Sequence, residues 1–159
     1  MITTGVTGQP WRASITAHGA VAPWDEAPPL EWFVAADDRW HVPASESAVR
    51  QRRIEGTAVA ETRVRVPNGD VVQRVFSVAD RGGLTIIEIE NESTLPVAIA
   101  FEHRDVLTER PIADMPIEGI DLPSSAFVMP LGHHATVRLA LAHHAPRSGS
   151  LPAGIPSVT

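Results

Sequence analysis

The sequence predicts an all-β protein, an antiparallel β-sandwich of about eight or nine short strands with little or no helix. Three observations carry this. Apolar residues recur with a period of two along most of the chain, turn signals punctuate these runs at short intervals, and no segment sustains an apolar stripe at helical spacing. The 159 residues fit one domain of ordinary size.

Taken in order, residues 1–9 are polar and read as a flexible start. Residues 10–42 form a Pro-rich arm that holds all four tryptophans, Trp11, Trp24, Trp32 and Trp40. Within it, residues 11–17 and 31–34 are weak strand candidates; after it, residues 48–54 either pair as a strand or form a helical turn. Residues 56–66 alternate, with Ala58, Ala60, Thr62, Val64 and Val66 opposing Thr57, Val59, Glu61, Arg63 and Arg65.

Val66-Pro67-Asn68-Gly69-Asp70 then marks a hairpin turn. A three-residue loop closed by a G1 bulge pairs Val64 with Val72 and Ala60 with Phe76. This register is preferred because it keeps Arg63 and Arg74 from standing opposite one another. It leaves Arg74 on the inner face and in need of a partner. Asp80-Arg81-Gly82-Gly83 turns the chain into the β-branched run 84–90, and Asn91-Glu92-Ser93-Thr94 turns it back into 96–101. Residues 56–101 thus read as a four-strand meander.

A long segment with Pro111, Pro116 and Pro123 follows, of a kind that is functional or covers something. Residues 126–131 and 134–142 are the last strands. The latter places Ala135, Val137, Leu139 and Leu141 on one face. Residues 146–159 are rich in Pro, Gly and Ser and read as a tail or linker. The sandwich domain is therefore bounded at 10–145.

Composition excludes several chemistries. There is no Cys, Lys or Tyr, and all 13 basic residues are Arg. Disulfides, thiolate metal sites, a Cys nucleophile and a Lys Schiff base are ruled out. A net charge of −6 argues against a nucleic-acid partner. No signal peptide and no apolar run of membrane-spanning length is present, which predicts a cytoplasmic protein without a membrane partner. No nucleophile elbow or phosphate loop appears, so no catalytic residue and no cofactor is assigned.

Two constellations stand out. Tryptophan offers an apolar face with a polar N–H, so Trp24, Trp32 and Trp40 could line a ligand groove. Asp37 and Asp38 with His41 lie beside Trp40 and would supply polar contacts there. The bland alternatives are tryptophans that anchor the arm to the sandwich and loop acids that are simply solvated. His133-His134 and His143-His144 bracket one strand, but consecutive strand residues point to opposite faces, so no metal site is assigned. Glu88, Glu90 and Glu92 line one face of their strand as a row that is either solvated or turned toward a partner.

The stretch Val49-Arg50-Gln51-Arg52-Arg53-Ile54-Glu55-Gly56-Thr57, then Pro67-Asn68-Gly69-Asp70, then Glu88-Ile89-Glu90-Asn91-Glu92-Ser93 with Leu95-Pro96-Val97-Ala98, resembles the N-terminal β-sandwich regions of uncharacterised actinobacterial proteins. These are similar in turn to the N-terminal domains of glycogen-debranching-like and other α/α-toroid glycosidases. The resemblance spans about residues 10–145 and is carried by turn patterns. The acids of those enzymes sit in a helical toroid that this chain lacks, so no role transfers to a residue here. It implies a non-catalytic accessory or interaction module of carbohydrate-related character, packed on a second domain or a second copy. Two other readings stay open: a module that binds carbohydrate or another small ligand in the Trp/Asp groove, and a small hydrolase.

Overall fold

A computed structural model describes residues 1–24 and 26–157. The chain is all-β, and among the described residues the only helical segments are two single turns at Pro43–Ser45 and Asp80–Gly82. Among the described residues no helix is long and apolar enough to cross a membrane.

The strands are β1 (Ile2–Gly5), β2 (Arg12–Ile15), β3 (Val21–Ala22), β4 (Trp32–Ala35), β5 (Trp40–His41), β6 (Arg50–Arg53), β7 (Ala60–Val66), β8 (Gly69–Val78), β9 (Leu84–Asn91), β10 (Val97–Phe101), β11 (Leu107–Thr108), β12 (Phe127–Leu131), β13 (Thr136–Ala142) and β14 (Gly149–Ser150). They number more than the sequence predicts because β3, β5, β11 and β14 are two-residue ladders, too short to carry a periodic signal. The strands form a three-stranded sheet in the order β1-β2-β3, a four-stranded sheet β12-β10-β4-β5 and a seven-stranded sheet β14-β11-β13-β9-β8-β7-β6. All pairs are antiparallel except β11 with β14.

One apolar cluster lies between the two larger sheets. The seven-stranded sheet contributes Val64, Val71, Val75, Ile87, Ile89, Val137 and Leu139, and the four-stranded sheet contributes Trp32, Val34, Ile99, Phe101, Phe127 and Met129. Alternation dictates this inward set, and each fully buried large side chain contributes about 1.5–3 kcal/mol.

Four sequence expectations change. The β7–β8 hairpin has a two-residue loop, with Val66 opposite Gly69 and Val64 opposite Val71. Pro67 fixes the first loop position and Asn68 takes φ 68° at the second, the pattern of a type II turn. In this register Arg63 faces Val72 and Glu61 faces Arg74, so the feared arginine pair never forms. Arg74 thereby turns to the outer face and gains a carboxylate.

The meander stops at three strands, because β10 crosses to the four-stranded sheet. Buried Asn91 pins the crossing. Its Nδ2 donates to the carbonyls of Leu95 (2.8 Å) and Leu131 (3.2 Å), and its Oδ1 accepts from Ser93 N (2.9 Å) and Ser93 Oγ (2.6 Å).

The first nine residues, expected to be flexible, contain β1, which pairs along its whole length with β2. The segment expected to be a tail or linker carries β14 and lays Ile155, only 5% exposed, on Leu84, Ile86, Leu107 and Ala140.

The tryptophan arm is likewise integral. It supplies β4 and β5 of the four-stranded sheet, and its 16–19 turn is held by buried side chains. Trp32 Nε1 donates to His18 O (2.9 Å), Gln51 Nε2 to Thr16 O (2.6 Å) and Gln73 Nε2 to Gly19 O (2.9 Å). Gly19 has φ 89°, and a Cβ there would lie 2.6 Å from Gln73 Oε1 and 2.8 Å from Trp32 Nε1, so the turn requires glycine.

The two outer faces differ in kind. On the seven-stranded sheet, Glu61 accepts from Arg52 (2.9 Å), Arg63 (3.0 Å) and Arg74 (3.1 Å), and Arg74 reaches Glu90 (3.0 Å). Burial works against the charge on Glu61, but the three arginines outweigh it and hold its carboxyl at about 2. Glu88, next in the acid row, is fully buried and accepts from Ser157 Oγ (2.8 Å). On the four-stranded sheet, every outward position is apolar: Pro130, Ala98, Ala35 and Trp40 in one row, and Val128, Ala100 and Phe33 in the next.

Candidate functional site

The structure disperses the predicted groove. Trp32 is fully buried in the core, where its N–H is satisfied by His18, so it cannot meet a ligand. Trp40 lies half-buried on β5, and its Nε1 donates to Glu118 O at 2.7 Å. The long segment after β11 thus reaches the outward face of the four-stranded sheet, in keeping with a covering role. Asp37 and Asp38 are exposed.

His41 is 3% exposed. Its Nε2 lies 2.9 Å from Asp38 Oδ1 and its Nδ1 lies 2.8 Å from Glu46 Oε1. Arg39 donates to both Glu46 oxygens, at 2.7 and 3.3 Å. The hydrogen bond with His41 pulls the Asp38 carboxyl below its ordinary range, and Arg39 does the same for Glu46. This cluster closes on itself and ties β5 to the Pro43–Ser45 turn. Among the described residues no group of three or more His, Asp or Glu is placed to hold a metal ion.

Only Trp24 of the three tryptophans is presented to solvent in a concave setting. It is 43% exposed, in the connection between β3 and β4. It lines a cleft of about 320 Å³ with Pro23, Pro28 and Leu141, to which His103, Asp105 and Arg147 add the polar groups. The Arg147 guanidinium carbon lies 4.6 Å from the Trp24 ring centroid, in cation–π contact. The Asp105 backbone N–H donates to His103 Nδ1 at 3.3 Å.

His103, Asp105 and Arg147 escape sequence reasoning because they come from a connecting segment and from residues read as a tail. No spacing links them to Trp24. The arrangement resembles a binding cleft more than a reacting centre: an aromatic face, apolar walls and a few hydrogen-bonding groups.

A second aromatic pair lies deeper. Trp11 stacks on His143 with ring centroids 4.1 Å apart, and His143 Nε2 lies 2.8 Å from Thr85 Oγ1. Burial, helped by the charges of His144 and Arg147, pushes His143 down to about 4. The histidine is thereby kept as a neutral packing element.

No family model matches the chain, and neither does any curated protein or solved structure.

Proposed function

We propose that this protein is a binding module whose site is the Trp24 cleft and whose ligand is a small molecule with an apolar face and a polar edge, a pyranose being the leading class. The exposed indole at an apolar cleft, with Arg147, His103 and Asp105 around it, supports the reading. A sugar ring stacks its C–H face on tryptophan while such groups take up its hydroxyls. Of the residues expected to line a groove, Trp24, Trp32, Trp40, Asp37, Asp38 and His41, this reading retains Trp24.

The test is a titration of intrinsic fluorescence with a panel of monosaccharides and oligosaccharides, run on the wild type and on Trp24→Ala. A saturable change in the wild type that Trp24→Ala abolishes is expected. No saturable change with any sugar, or the same change in both proteins, overturns the reading.

A second reading has its own observation. The outward positions of the four-stranded sheet are all apolar, where a free sheet face ordinarily alternates to polar residues. This favours an accessory role in which that face packs on a second domain or a second copy, in a protein of carbohydrate-related character. Sedimentation of the chain at increasing concentration tests the second-copy form. Mass that grows with concentration and falls back in Ala98→Arg supports it, and a monomer throughout removes that form.

A further inference from the structure

We propose that the cleft between the β1–β2 hairpin and the turn following β6 is an anion site, built for a phosphate or sulfate group. The argument starts from arginine accounting. Eight of the arginines, at 39, 50, 52, 63, 65, 74, 104 and 138, lie within 4.0 Å of a carboxylate oxygen. The other five have no carboxylate partner among the described residues: Arg110 donates to Pro130 O, Arg147 lies over the Trp24 ring, Arg81 stands apart, and the last two are Arg12 and Arg53. Both are exposed, and both line a single cleft of about 430 Å³. In a chain of net charge −6, where carboxylates outnumber arginines, two cations left unpaired at one cleft make a local electropositive spot.

The rest of the lining suits the same ligand. Thr3 belongs to it, is exposed, and shares with Arg12 the outer face of the β1–β2 ladder. Its hydroxyl can donate to an anion seated beside the two guanidinium groups. Thr7 brings a second hydroxyl on the turn that Gln9 N closes onto Val6 O at 3.0 Å.

Gly5 matters by what it lacks. A Cβ there would lie 3.2 Å from Trp11 O and 3.3 Å from Arg12 Cγ, so glycine leaves room for the arginine stem across β1. A tetrahedral oxyanion accepts from guanidinium forks and from hydroxyls, and nothing in the lining is negatively charged. The site stands apart from the Trp24 cleft, shares no residue with it and does not depend on that reading.

Isothermal titration of the full chain with inorganic phosphate, a hexose 6-phosphate and the unphosphorylated hexose, at about physiological ionic strength, tests the assignment. Saturable binding of at least one phosphate probe is expected. It should weaken about tenfold or more in Arg12→Gln/Arg53→Gln and be unchanged in Arg81→Gln, an exposed arginine outside the cleft. Thr3→Val, nearly the same shape, should weaken binding without lowering the melting temperature. Equal binding of both phosphate probes assigns a free anion, and preference for the sugar phosphate assigns a ligand-borne one. No saturable binding of either probe, or undiminished binding in the double variant, overturns the site.

Discussion

The two outer faces of the sandwich solve the same problem by different means. Each is the back of a sheet whose front is buried in the shared core. The seven-stranded sheet covers its back with itself: arginines and carboxylates of β6 to β9 neutralise one another at one end, and the 149–157 segment lays Ile155 over the apolar other end. The four-stranded sheet leaves small and apolar residues outward and brings only a connecting segment across, tied by Trp40 to Glu118. A face that is internally saturated has little left to offer a partner. A face of Ala, Phe, Val and Pro has no polar commitments to break before it can accept one.

The sharpest way to break this contrast is at Glu61. Glu61→Leu removes a carboxylate, itself 2% exposed, that three arginines share: Arg52 loses its partner, while Arg63 keeps Glu92 and Asp70 and Arg74 keeps Glu90. A loss of about 3 kcal/mol is expected in urea unfolding, the scale of removing one partner from a buried ion pair. A loss below about 1 kcal/mol would mean that the network is an ordinary surface one.

A pH scan separates the charged face from the core. His143 has a folded pKa of about 4 against 6.5 unfolded, so only the unfolded chain takes up a proton between those values. Stability on this account is complete above pH 6.5 and falls as pH drops to 4, by about 3 kcal/mol. Glu61, held at about 2 against 4.5, contributes stability that is present above pH 4.5 and is lost from there downward. Melting temperatures of His143→Gln should therefore be flat in the upper window and unchanged in form in the lower one.

The strap gives the next effect. Ile155→Ala should cost about 2 kcal/mol and open the 146–157 segment to protease, measured by urea midpoint and limited digestion. The smallest effect is expected on the other sheet. Ala98→Ser should change stability by less than about 0.5 kcal/mol in the same unfolding assay, because its outward position is not packed into the core. A large loss there would show that the apolar row is already engaged within the chain.

Much of the fold was legible in the sequence because period two is a strong signal. Residues 134–142 and 84–90 fall within a residue or two of β13 and β9, and the inward set of β13 is the one that alternation predicts. What alternation cannot supply is the partner. The β7–β8 register turned on one loop residue, and the destination of β10 on the hydrogen bonds of Asn91, which no hydrophobic pattern encodes. The candidate site was less legible. Trp24 was named, but residues 103, 105 and 147 meet it only through tertiary folding. Trp32 goes to the core and Trp40 ties its N–H to Glu118 O, and in sequence an indole N–H satisfied by a backbone carbonyl looks like any other tryptophan.

Strand β6 has one more consequence. It is the outermost strand of the largest sheet, and its four residues are Arg50, Gln51, Arg52 and Arg53. An open strand edge invites another chain to add to the sheet. Here any antiparallel copy of β6 would bring arginines against arginines. In the four-stranded sheet, the edge strand β12 carries Pro130, which has no N–H to donate. The row of guanidinium groups on β6, two of them paired with Asp70 and Glu61 and the third left for the cleft, therefore also works against a second copy adding to the sheet along this edge.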